Sequence, residues 1–180
     1  HPRSVVANGG IYMWKDGRSN WDTTTAVFDY GPADDSTSGF QVTFGSRMRN
    51  GEENPSEIYY SNGGELNLIT NAVSAKGGLG ENHAKAMNMK PNLLPDLKLV
   101  DKSDKVIASA NTGADILTSN HMRNFMECMR SRENTNAPVE AGYYHSIATI
   151  MTNAAVRTGS KVTFDEKRQE VMADGKVFHL

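Results

Sequence analysis

Two runs near the N-terminus alternate in polarity residue by residue, and nothing else in the chain restricts its fold so tightly. In "TTTAVFDYG", Thr24, Ala26, Phe28 and Tyr30 share one face and Thr25, Val27 and Asp29 the other, the pattern of a half-buried strand. "GFQVTFGSRM" repeats it with Phe40, Val42 and Phe44 pointing one way. The intervening "GPADDSTSG" offers positive φ, fixed φ and side-chain-to-backbone hydrogen bonds, the chemistry of a turn. So short a connection carries no crossover helix, and the two strands are expected to pair antiparallel.

The same reading extends both ways. "SVVANGGIYMW" is a further strand in which Gly9-Gly10 marks a bulge or a close backbone approach. "SEIYYSNGGELNLIT" is the clearest hairpin, two strand-like runs around Asn62-Gly63-Gly64, because Asn-Gly fits a tight primed turn. Residues 75–112 mix glycines, a short helix and two prolines, an irregular excursion, with "LKLV" and "KVIAS" as a small hairpin around Lys102 to Asp104.

The last third turns helical. Met122, Phe125, Met126 and Met129 fall at helical spacing, with Ser119 or Asn120 as the cap and "SRENTNAP" as the stop. A second helix, about Ala141 to Thr158, places Ile147, Ile150 or Met151, and Ala154 on one stripe and ends at Gly159. Ala148, Ala154 and Ala155 let a neighbour approach closely. "KVTFDEKRQEVMADGKVFHL" returns to strand, with Asp174-Gly175 as a second turn. Strands, two helices and strands again predict an α+β fold: an open, mostly antiparallel β-sheet with helices packed on one face.

Composition sets outer bounds. A chain of 180 residues with 38% hydrophobic and 22% charged residues folds, but as a rather wet domain. A net charge of -2 argues against an electrostatic grip on nucleic acid. No apolar run approaches a membrane span, and no secretory leader is visible. Cys128 has no second cysteine to pair with. The chain begins at His1 rather than Met, as expected for part of a longer gene product.

Local motifs for catalysis are sparse. "KGGLGENHAK" lacks both the Gly-Lys-Ser/Thr ending of a phosphate loop and the GxGxxG spacing of a dinucleotide fold, so it reads as a glycine loop. The five histidines show no two-ligand spacing, which leaves no metal site, and Cys128 among helical methionines reads as core. His145 sits off the apolar stripe beside Tyr143 and Tyr144, where it either lines a pocket or donates a structural hydrogen bond to a loop. The richest polar cluster is "YMWKDGRSNWDTT", with Lys15, Arg18, Trp21 and Asp22. Aromatic rings beside carboxylate and guanidinium groups suit a hydroxylated ligand such as a sugar, and equally suit a solvated strand–loop–strand connection. With His145, these four are the candidate substrate-binding residues.

Three segments taken together, "GGIYMWKDGRSNWDTTTAVFDYG", "YYSNGGELNL" and "HMRNFMECMRSRENTNAPVEAGYYHSIATIMTNAAVRTGSKVTFDE", resemble the C-terminal domain of the glucose–fructose oxidoreductase / inositol dehydrogenase (Gfo/Idh/MocA) family, in its bacterial exported branch. The resemblance covers nearly the whole chain. It implies that residues 1–180 form a single C-terminal substrate-binding and oligomerisation domain, with an N-terminal Rossmann domain as its missing partner. That partner would bind NAD or NADP and carry the Glu-Lys-Pro lysine. Neither GxGxxG nor Glu-Lys-Pro occurs here, and the family's Asp-x-x-x-His pair falls upstream of His1. The resemblance therefore implies no cofactor and no catalytic residue on this chain. It implies an NAD(P)-dependent oxidoreductase acting on a sugar or polyol as the parent, and His145 at the core edge or pocket rim. Related possibilities are a parent that is an NAD-dependent glycoside hydrolase and a stand-alone carbohydrate-binding module. A homo-oligomer is expected through the Thr- and Val-rich outer sheet face, in either the periplasm or the cytoplasm.

Overall fold

The computed structural model describes residues 1–47, 57–70, 72–98 and 116–179. In chain order the strands and helices are β1 (Ser4–Gly10), β2 (Thr23–Tyr30), β3 (Phe40–Arg47), β4 (Ile58–Ser61), β5 (Gly64–Asn67), β6 (Ala72–Ser74), α1 (Glu81–Ala86), β7 (Leu97–Lys98), α2 (Ile116–Ser131), α3 (Val139–Thr158), β8 (Val162–Asp165), β9 (Glu170–Ala173) and β10 (Lys176–Val177). They fall into two units, His1–Gly51 with Asn120–Leu180, and Glu52–Ser119.

The first unit is a six-stranded antiparallel sheet ordered β10-β9-β8-β1-β2-β3, with α3 on one face. The alternation seen in sequence sets its register. Phe28 pairs with Val42, Ala26 with Phe44 and Tyr30 with Phe40, so the apolar side chains of β2 and β3 lie on one face. On that face α3 buries Ile147, Met151, Ala154 and Ala155 against Val5, Val162, Val171 and Ala173. Met151 and Val5 have no exposed surface. Of the two residues competing for the stripe, Met151 is the core residue, and Ile150 is exposed.

Gly9-Gly10 resolves as a close approach. Pairing runs unbroken from Ser4 to Gly10, and a Cβ on Gly9 would lie 3.1 Å from Val156 Cγ1 and 3.2 Å from the Thr23 carbonyl. The missing side chain is what lets α3 settle on β1. Helix α3 starts after Pro138 and ends at Gly159, which takes φ 69° and donates its N–H to the Ala155 carbonyl. Asp174 and Gly175 both adopt positive φ in the two-residue turn between β9 and β10. Arg3 ties down the β2–β3 connection: its guanidinium grips Asp29 through Nε at 2.6 Å and Nη2 at 3.1 Å, and donates to the carbonyls of Pro32, Asp35 and Ser38.

Helix α2 corrects the expected cap. It is helical from Ile116, so Ser119 and Asn120 sit inside it rather than at its start. Exposed serine and asparagine cost a helix only a fraction of a kcal/mol, roughly 0.5 each, so the backbone ladder runs through them. Its Met122, Phe125, Met126 and Met129 are 43–51% exposed. Cys128 is buried, its thiol 3.3 Å from the Asn134 carbonyl.

The second unit is a four-stranded antiparallel sheet ordered β4-β5-β6-β7. Its hairpin is the expected one: Ser61 pairs with Gly64 around Asn62-Gly63. The turn is pinned from outside by the N–H groups of Leu79 and Leu94, which bond the Asn62 and Gly63 carbonyls at 2.7 and 2.8 Å. The irregular stretch holds the short helix α1, and "LK" of "LKLV" pairs with β6. The proposed turn around Lys102 to Asp104 lies outside the described residues.

Candidate functional site

The β1–β2 connection, residues 11–22, carries four of the five candidate residues, and Asp22 organises it. Asp22 is 2% exposed. Its Oδ2 accepts the N–H of Met13 at 2.7 Å and of Trp14 at 3.0 Å, while Oδ1 accepts the Tyr12 N–H and the Thr23 hydroxyl, each at 3.1 Å. Burial pushes this carboxyl up, but the three backbone donors and the hydroxyl together outweigh it and hold Asp22 well below the usual carboxylate range. Both oxygens are thus spent on the loop's own backbone. Asp22 is the post around which Tyr12, Met13 and Trp14 are wound.

The charged residues of the loop are likewise engaged with one another. Arg18 grips Asp16 bidentately, Nε to Oδ1 at 2.8 Å and Nη2 to Oδ2 at 2.6 Å. Chiefly through that side-chain hydrogen bond, the Asp16 carboxyl is lowered to about 2. The Arg18 guanidinium also lies 5.3 Å from the Trp14 ring centre, and the Lys15 ammonium donates to the Ile11 carbonyl.

Trp21 and His145 line a common groove elsewhere, at different points along it. Helix α3 covers the centre of the sheet but not the strands β2 and β3 beside it, which leaves a groove of about 520 Å³. Its sheet wall is Thr24, Phe28, Tyr30, Val42, Phe44 and Ser46, closed by Trp21. Its helix wall is His145, Ala148, Thr149, Thr152 and Asn153. Lys15, Arg18 and Asp22 are not among the lining residues. The apolar face of β2 and β3 is here a half-open platform: Phe44 is 47% and Val42 40% exposed.

Of the helix wall, sequence reasoning picked out His145 and passed over Thr149, Thr152 and Asn153. His145, Thr149, Thr152 and Asn153 recur at spacings of four, three and one, which places them on one flank beside the buried stripe, and that spacing was the available signal. Arg157 was missed as well. Its guanidinium lies 5.7 Å from the Trp21 ring centre, and its Nε donates to Asn153 Oδ1 at 2.7 Å. One side chain thereby holds an indole and an amide at the same end of the groove.

A second groove, about 550 Å³, runs along the other flank of α3 between Ile147, Ile150, Phe164 and Phe178. Its Tyr143 hydroxyl donates to the Gln169 side-chain amide oxygen, and Ser146, Glu170 and His179 line it as well. The groove beside β2 and β3 is the candidate site because two of the five candidate residues, Trp21 and His145, line it. Among the described residues no three His, Cys, Asp or Glu side chains are grouped to hold a metal ion, and no helix is long and apolar enough to cross a membrane. Comparison of the chain with protein-family models, curated proteins and solved structures finds no match.

Proposed function

We propose that this chain is the substrate-side domain of an NAD(P)-dependent oxidoreductase acting on a sugar or polyol, inactive alone, with its outer sheet face as an oligomer interface. The observation that carries the reading is the groove, where Trp21 and an aromatic sheet wall face His145, Thr149, Thr152 and Asn153 across an open slot. Rings stack on the C–H faces of a sugar while hydroxyl, amide and imidazole groups bond its rim. The family resemblance of the sequence supports the same assignment.

The glycine-rich run of this chain is a poor seat for a dinucleotide. The run, residues 76–80, joins an antiparallel strand to the six-residue helix α1, and Glu81 occupies the first turn. A diphosphate there would meet a carboxylate instead of a free helix N-terminus. On this reading the nicotinamide chemistry belongs to the proposed partner domain. Calorimetric titration of NADH into the chain should give no saturable heat. Saturable micromolar binding contradicts the reading.

A stand-alone carbohydrate-binding module is a second reading, favoured by one fact: every residue lining the groove lies in residues 21–46 or 145–153, within one unit. The full-length polypeptide separates the two. Sugar-dependent reduction of NAD(P) supports the oxidoreductase, and its absence alongside tight sugar binding supports the module.

A further inference from the structure

We propose that the groove beside α3 is built for an amphipathic glycoside, a sugar ring carrying an apolar aromatic aglycone, rather than for a free sugar or polyol. The inference rests on the sugar reading above and adds which end of the groove takes which part of the ligand.

The groove has two chemically different ends, and the packing of α3 fixes which is which. Gly9 pairs with Thr24 and lies against Val156, so the last turns of α3 sit over the Thr24 end of β2. At the opposite end, the Arg3 N–H bonds the Asp29 carbonyl, and the ring of His1, two residues before, lies 6.1 Å from that of Tyr144. The first turns of α3 therefore sit over the Asp29–Tyr30 end. Lining residues sort accordingly. Trp21, Thr24, Ser46, Thr152 and Asn153 gather at the first end, one indole among four hydrogen-bonding side chains. Phe28, Tyr30, Val42, Phe44, Ala148 and Thr149 line the rest together with His145, and the Thr149 hydroxyl there already donates to the His145 carbonyl.

A sugar hydroxyl buried without a partner costs free energy. The polar end can satisfy one ring, with the indole under its C–H face and Asn153 held in place by Arg157. Along the rest, Phe28, Val42, Phe44 and Ala148 offer a polyol no hydrogen bond, whereas removing an aromatic group from water against them is favourable. Thr24 to Tyr30 spans about 20 Å of strand, room for two ring-sized groups in line.

The test is a calorimetric or NMR titration of the chain with methyl and phenyl β-D-glucopyranoside, the corresponding galactosides, and phenol. Each phenyl glycoside should bind at least about ten-fold tighter than its methyl counterpart, and tighter than phenol. Phe44→Ala should weaken the phenyl glycoside more than the methyl one and so narrow the difference between them. Trp21→Ala should weaken both. Val42→Ser, at a second exposed position, repeats the test should Phe44→Ala fold poorly. Equal affinity for methyl and phenyl glycosides overturns the inference and leaves the sugar reading intact. Phenol binding as tightly as phenyl glycoside also overturns it, and failure of every glycoside to bind removes the sugar reading with it.

Discussion

Asp22 shows how a residue chosen for its chemistry can be spent on structure. A buried carboxylate persists because three backbone N–H groups and a hydroxyl converge on it. Asp22→Asn replaces one acceptor with a donor that faces those N–H groups, and melting followed by circular dichroism should show Tm lower by roughly 5–10 °C. The pH dependence has a definite sign. A carboxyl held below its unfolded value stabilises the fold fully above that value, 3.8, and loses the contribution as pH falls through the folded one. The Tm gap between wild type and variant should be widest above about pH 5 and narrow steadily below pH 4. A gap independent of pH contradicts a charged Asp22. Arg157 is a parallel case at the groove. In a Trp14→Phe background, Arg157→Ala should raise acrylamide quenching of Trp21, whereas Arg157→Lys, which keeps a cation over the ring, should largely preserve protection. Sequence made the loop legible as a cluster of rings and charges. Which atoms each charge meets was not legible, because Asp22 reaches back eight to ten residues to backbone groups that leave no trace in residue type. His145 was easier, since a position off a helical stripe beside the core must fall on its rim.

At the level of elements, periodicity did most of what sequence can do. Period-two runs became β2 and β3 in the expected facing, and Asn62-Gly63 and Asp174-Gly175 became tight turns. What periodicity leaves open is the partner of an apolar stripe. The Met122–Met129 stripe forms a helix, but among the described elements none packs extensively on it. In the Phe40–Phe44 stripe, Val42 and Phe44 face the groove rather than a filled core. Gly9 shows the same limit from the other side, since a glycine within a strand signals either a bulge or a close neighbour, and only the packing of α3 decides. Gly9→Val should cost about 2 kcal/mol in urea unfolding, because the new methyls meet Val156 and the strand backbone. Adding Val156→Ala should recover a good part of that loss. If the two substitutions are simply additive, α3 does not rest on Gly9 as described.

For the molecule as a whole, the six-stranded sheet has two faces with different tasks. One is occupied by α3 and the groove. The other carries Val6 beside Val27 and Thr43, with Asn8 beside Thr25, and Val6 is 46% exposed. Asp29 on that face is paired with Arg3, so around Val6 a second copy would meet valine, threonine and paired charge. Isologous pairing through such a face places each residue twice across one axis, and a stable pair should bury roughly 1,000 Å² or more in total. Light scattering at about 100 μM should therefore report a dimer. Val6→Lys should convert it to monomer, since every substitution enters the interface twice and like charges then oppose each other. Because the groove opens on the opposite face, Val6→Lys should leave glycoside affinity unchanged. A wild-type monomer at that concentration, or a Val6→Lys dimer, would move the oligomer interface off this face.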